Sequence, residues 1–329
     1  MPVLATTHPT LLDVQKRTAP DGSVDKVIEI LDQTNKINED MVWLPANDKS
    51  QHVTTIRSGL PEPTWRKLYQ FTQPTKSTTV QVTDSIGMLE AWSEIDQKLV
   101  EIQSDPAAFR LSEDIPHMES MMQKVARTVF YGNDVTAPEE WTGLAARYST
   151  TSAENADQII KGDGAGSDNT SIWIVVWGPN TVHGIYPPGT KAGISHNDLG
   201  LVTLQESGGR MRAYQSHYTW DCGLSLRDWR YCVRVCNIDV SNLTKNAASG
   251  SDLVDLITQG LEVIPNLEAG RAVIYANRKI RSFLRRQITN KVANSTLSMD
   301  NVAGKPVMAI DGIPVKKCDV ILNTEATVS

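Results

Sequence analysis

Between residues 46 and 92 the chain carries two extended, β-branched runs and very little that could form a core. The runs are His52-Val53-Thr54-Thr55-Ile56-Arg57 and Ser77-Thr78-Thr79-Val80-Gln81-Val82-Thr83. Residues of this kind fit a pleated, half-buried surface. Gly59, Pro61, Pro63 and Pro74 lie between them and break any helix. The pattern predicts a long two-stranded arm with an irregular tip. Two strands alone are marginal in water, so such an arm needs a partner surface. Trp65, Leu68, Tyr69 and Phe71 are expected to be exposed in a lone subunit and to anchor it in an assembly, flanked by Arg57 and Arg66.

Around the arm the apolar spacing alternates between helical and extended. Residues 1–22 have turn-like spots at His8-Pro9 and Pro20-Asp21-Gly22 and read as a loosely anchored arm. Ser23 is placed to cap a helix bearing Val24, Val27, Ile28 and Leu31. Met41 to Leu44 reads as a short strand ended by Pro45. Ile95, Leu99 and Ile102 predict a short helix over 93–103. A long helix is expected over 112–131, capped by Ser112 or Asp114, with Pro116 in its first turn and Gly132 as its stop. Ile115, Met118, Met122, Val125 and Val129 form its stripe.

Residues 133–150 read as a loop, and the Gly- and polar-rich stretch through Asn169 marks a subdomain boundary. Ser171 to Gly178 is apolar on both faces, the mark of a buried central strand. Strands are expected at Leu201 to Leu204, Met211 to Trp220, Trp229 to Val240, Ala272 to Tyr275, Pro306 to Ile310 and Ile313 to Leu322, the last two around a turn at Asp311-Gly312. Ser251 starts a helix with Leu253, Leu256, Ile257 and Leu261. Another helix covers 278–291, with Ile280, Phe283, Leu284 and Ile288 inward. This mixture of helices and mostly antiparallel strands is α+β.

Composition excludes several classes. The 329 residues are 40% hydrophobic and 21% charged, a globular balance. A net charge of −6 argues against a general affinity for nucleic acid. No apolar run approaches a bilayer-spanning length, and Met1 to Arg17 lacks a secretory pattern. Cys222, Cys232, Cys236 and Cys318 read as buried thiols in a reducing compartment.

No chemistry declares itself. Lys161-Gly162-Asp163-Gly164-Ala165-Gly166 is glycine-rich but precedes a strand, so it reads as a flexible linker and not a dinucleotide fingerprint. Cys232 and Cys236, four apart in a strand, point to one face without converging on a metal with Cys222 and His217. No nucleophile elbow or Ser/His/Asp spacing occurs. No cofactor is expected. The one concentrated charge is in 277–291, where Arg278, Lys279, Arg281, Arg285, Arg286 and Lys291 occur with no acid. It is either a solvated face or a contact surface for acidic groups of a neighbour or for nucleic acid.

An ordered set of segments resembles the major capsid proteins of short-tailed bacteriophages, which have the Hong Kong 97 (HK97-like) capsid fold. These are Arg57-Ser58-Gly59-Leu60-Pro61 with Thr64-Trp65-Arg66, Lys76 to Asp84, Phe109-Arg110-Leu111-Ser112-Glu113-Asp114, Phe130-Tyr131-Gly132-Asn133, Trp141-Thr142-Gly143-Leu144-Ala145, Gly166 to Trp173, and Asp311-Gly312-Ile313-Pro314-Val315. The resemblance implies an N-arm and first helix over 1–45, an E-loop over 46–92 lying across a neighbour, and a peripheral domain over 93–169 with 112–131 as its spine helix. It further implies an axial domain over about 170–270 and a return to the peripheral core over 271–329. The implied role is a non-enzymatic shell protein, forming hexamers and pentamers around double-stranded DNA. Implied partners are copies of itself, a portal, a cement protein and the packaged DNA, without sequence specificity and without a membrane. No charged coiled-coil segment precedes the fold, so a separate scaffolding protein is expected. Lysine–asparagine cross-linking is not expected, and assembly is expected in the host cytoplasm. The rival readings are another shell or virion component of the same fold, or an enzyme with an unrecognised pocket.

Overall fold

The computed structural model describes residues 8–10, 33, 35–206, 209–244, 250–290, 297–302 and 305–329. The helix expected behind Ser23, Lys291 of the basic run and the side chain of Ile288 lie outside the described residues. The elements begin with α1 (Ile37–Asp40), β1 (Trp43–Pro45), β2 (Gln51–Gly59), β3 (Thr78–Asp96), α2 (Gln97–Glu101), α3 (Pro106–Tyr131) and α4 (Leu144–Arg147). They continue with β4 (Ile159–Lys161), β5 (Asn169–Trp177), β6 (Val182–Tyr186), β7 (Ser195–Glu206), β8 (Gly209–Leu226) and β9 (Cys232–Asp239). Last come α5 (Leu253–Glu262), β10 (Arg271–Ala276), α6 (Arg278–Asn290), β11 (Leu297–Val302), β12 (Lys305–Ile310) and β13 (Ile313–Lys317).

β5 organises the molecule. Every one of its residues is buried, as its unbroken apolar run requires. Trp173, Val175 and Trp177 enter one core with Met121, Val125, Val129 and Phe130 of α3. Ile172, Ile174 and Val176 enter a second core with α5 and α6, through Leu253, Ile257, Leu261, Ile280 and Leu284. One strand therefore separates two helical layers. β9 and β10 flank it antiparallel, and the sheet continues through β13 and β12 to β11. β6 links this lobe to a second set of strands, in which β8 pairs with β6, β7 and β3.

The long helix begins six residues before the expected start. Asp105 caps it, accepting from the Ala107 and Ala108 amides at 3.1 and 3.0 Å, and Pro106 takes the first-turn position assigned to Pro116. Pro116 is inside the helix. Ser112 does not cap, because its hydroxyl donates to the Phe109 carbonyl at 2.8 Å. Asp114 is buried facing Ser216. The 26 residues make a rod of about 39 Å at roughly 1.5 Å each. Its buried face is Met121, Val125, Ala126, Val129 and Phe130, while Ile115 and Met122 of the expected stripe are exposed.

Other expected boundaries also move. The helix over 93–103 shrinks to α2, because β3 stays paired with β8 as far as Asp96. Ile95 and Leu99 still share a small core, with Val100 and Phe109, but Ile102 is exposed. Trp229–Tyr231 is a 3-10 turn and β9 starts at Cys232. Asp252, not Ser251, caps α5. The last strand ends at Lys317, short of Leu322, and β11 is a strand the pattern did not predict. Beyond β13 the chain crosses back over β5 and β9: Asn237 bonds both the carbonyl and the amide of Val328 at 2.9 Å.

Candidate assembly surfaces

β2 and β3 pair antiparallel from Gln51↔Ser85 to Gly59↔Thr78, with a register shift between Arg57 and Gly59. Over this length β3 has no other strand partner among the described residues; it joins β8 only from Ile86 onward. The pair therefore projects from the sheet, and residues 60–77 form its tip. The tip has few internal ties: a Thr75 hydroxyl to the Glu62 carbonyl at 3.2 Å and a Gln70 amide to Lys67 at 3.2 Å. Tyr69 adopts a left-handed backbone (φ 65°) there. Tyr69 is 99% and Phe71 97% exposed, and Trp65, Leu68 and Leu60 are exposed to a similar degree. Arg57 and Arg66 are exposed beside them. Isolated exposed apolar residues are ordinary; here several large ones are gathered on a segment without a core of its own.

The basic helix α6 is capped by Asn277, whose side chain accepts from the Ile280 amide at 2.8 Å. Ile280 and Leu284 face the second core. The cations consequently point outward: Arg278, Lys279, Arg285 and Arg286 are exposed and Arg281 is half-buried. Arg278 pairs with Asp319 at 3.0 Å and Arg286 lies over the Phe283 ring at 5.1 Å. Burial, then its neighbour Arg285, lowers the Arg281 guanidinium from its ordinary value. Arg278, Lys279 and Arg286 line an open depression of about 440 Å³ with Val240, Ser282 and Phe283. The structure thus gathers the five helix cations Arg278, Lys279, Arg281, Arg285 and Arg286 on one side, and sets the arm residues apart on another element.

The remaining chemical candidates have structural roles. Gly162 and Gly164 are not a loose linker: their amides donate to the Cys236 and Asn237 carbonyls at 2.8 and 2.7 Å. A Cβ on either would stand within 2.8 Å of the Asn237 carbonyl oxygen. All four cysteines are buried, with Cys232 and Cys236 in the same core. Among the described residues no three His, Cys, Asp or Glu side chains are grouped to hold a metal. None of the described helices is long and apolar enough to cross a membrane.

Residues 19–329 match the family model for Major capsid protein GP7. A chain of the bacteriophage epsilon15 particle, solved by cryo-electron microscopy, aligns with a TM-score of 0.81 and 36% identity, over 100% of this chain and 99% of that one. The SrpI encapsulin of Synechococcus elongatus PCC 7942 aligns at 10% identity and a TM-score of 0.46, over 70% of this chain and 96% of its own. No curated protein matches. The family model and the epsilon15 alignment define the class: a shell-forming capsid protein of a phage virion, with the HK97-like α+β fold. The chain belongs to the GP7 major capsid protein family.

Proposed function

We propose that this chain builds an icosahedral head of hexamers and pentamers around double-stranded DNA, and that residues 46–92 serve as an E-loop laid across a neighbouring subunit. The observation that carries this is the arm itself: a hairpin attached to the sheet at one end, with its largest apolar side chains in solvent. Arg57, Trp65, Arg66, Tyr69 and Phe71 are its contact residues. Burying the aromatic group against a second copy would recover roughly 25 cal/mol for each Å² removed from water. Many such contacts per shell add up, each heterologous and closing by rotation.

In the same reading residues 1–45 are the N-arm, α3 is the spine of the peripheral domain 93–169, residues 170–270 are axial and 271–329 return to the core. The cations of α6 face acidic groups of a neighbour or the phosphates of packaged DNA. A scaffolding protein, a portal and a cement protein are the remaining partners, assembly takes place in the host cytoplasm, and the chain performs no catalysis.

The test is a photo-reactive phenylalanine at Tyr69, activated in assembled particles seen by electron microscopy. Dimers and higher ladders on denaturing gels support the arm contact. Particles that form normally and cross-link only within one chain would overturn it.

A further inference from the structure

Where the arm leaves the sheet, four adjacent strands carry one row of polar side chains. His52 on β2 stands opposite Asp84 on β3, and His183 on β6 opposite Ser225 on β8. β3 and β8 pair only as far as Ile86↔Gly223, two residues short of Asp84 and of Ser225. The His52 and His183 rings meet edge to face with centroids 5.7 Å apart. Asp84, His183 and Ser225 are almost wholly buried. Asp84 accepts from Arg147 of α4 at 2.6 Å. Its second oxygen, the His183 Nδ1, the Ser225 hydroxyl and the Thr54 hydroxyl are buried with no hydrogen-bond partner among the described residues.

Among the described residues the charges around this row are few. β2 contributes His52, whose Nδ1 faces the Asn47 amide at 3.3 Å. β3 contributes Asp84, α4 Arg147 and β6 His183. The turn after β8 contributes Arg227, held at 3.1 Å by the Pro179 carbonyl. The carboxylate is thus already paired with Arg147, and exposed Arg227 adds positive charge at the margin. Charging the imidazoles would add one cation on almost wholly buried His183 and one on half-buried His52, beside a carboxylate already paired with Arg147, at high cost.

We propose that this row is a proton-sensitive hinge: with both imidazoles neutral it clamps the base of the arm to the sheet, and when they take up protons it lets the arm swing free. The consequence for shell assembly rests on reading residues 46–92 as the reaching arm; the hinge itself belongs to a single chain. Burial is the main reason that both imidazoles sit below their ordinary value, His183 at about 4, with Arg227 adding to it and Asp84 opposing. A histidine depressed in the closed state binds protons better when the base opens. The clamp is therefore complete above about pH 6.5 and weakens as the pH falls toward 4.

Hydrogen exchange read by mass spectrometry on the purified full-length chain tests this, at pH 7.5 and 4.5 with intrinsic rates corrected. Peptides covering 48–57 and 79–87 are expected to open on the order of 50-fold more at pH 4.5, by linkage, while β5 keeps its protection. The double variant His52→Gln/His183→Asn is expected to lose this response. Equal opening of β5, an unchanged arm base, or an undiminished response in the variant would overturn the hinge. Should the variant not fold, NMR titration of the native imidazoles decides: midpoints well below 6.5 support the hinge, and ordinary midpoints refute it. Failure of the Tyr69 cross-link leaves these readouts untouched, so the two readings fall separately.

Discussion

Arg234 of β9 and Glu325 of the C-terminal segment form an ion pair at 2.8 Å in which both side chains are all but sealed from solvent. Glu325 also accepts from the Ser171 and Tyr131 hydroxyls, and Arg234 donates to the Tyr148 carbonyl at 2.8 Å. The guanidinium lies over Trp173 at 5.1 Å. This network ties the end of the chain to β5, β9 and the end of α3. Removing one member leaves a buried charge without its partner. Glu325→Ala is expected to cost about 3–5 kcal/mol in urea unfolding of the unassembled chain. The double change Arg234→Met/Glu325→Leu is expected to cost less than the single one, because no charge is stranded.

The arm tip is expected to behave in the opposite way. Trp65→Ala/Tyr69→Ala/Phe71→Ala removes groups that touch little of their own subunit. Unfolding of the lone chain should change by less than about 0.5 kcal/mol. Shell yield by electron microscopy should collapse. Deleting residues 58–74 should likewise give a folded but assembly-poor chain, and an insoluble product would count against an arm without a core.

Gly132 ends α3 where two backbones nearly touch. Its carbonyl accepts from the Gly143 amide at 2.8 Å. A Cβ there would lie 2.7 Å from the Thr128 carbonyl oxygen and closer still to that of Trp141. Neither can yield as a side-chain end can. Gly132→Ala is expected to destabilise by about 1–3 kcal/mol, measured by thermal unfolding, although alanine is normally the better helix residue.

The buried thiols give a chemical prediction. Burial pushes Cys232 and Cys318 up to about 12, and Cys222 higher. At pH 8 they are protonated and out of reach, and the thiolate is the reactive species. An aromatic disulfide reagent is expected to label none of the four in the native chain within minutes, and all four in 8 M urea (about complete unfolding). Rapid labelling of one native thiol would show that the core around it opens.

These features were not equally legible in the sequence. β5 could be read from Ser171 to Gly178 because a strand buried on both faces writes an unbroken apolar run. The arm strands stood out through β-branched residues bounded by Gly and Pro. The start of α3 did not, because Asp105-Pro106 and Asp114-Ile115-Pro116 both resemble a capped first turn, and only packing of Phe109 against Ile95 and Leu99 decides between them. Ile95, Leu99 and Ile102 are spaced as in a helix, but eleven paired residues of β8 hold Ile95 in a strand. Tertiary pairing overrode local spacing there. Of the surfaces, the α6 cations were visible as a run. The His52, Asp84, His183 and Ser225 row was not, since its members meet only through strand register across more than 170 residues.

β3 is one strand of 19 residues, paired with β8 from Ile86 and with β2 alone, among the described residues, before that. The eight residues of β3 beyond that anchor make a lever of about 26 Å at roughly 3.3 Å each, so a turn of about 10° at its root carries its far end about 4–5 Å. The two cores on either side of β5 need not repack for that to happen. A rigid body fitted with such a gear can meet neighbours at several inclinations while every copy keeps the same interior.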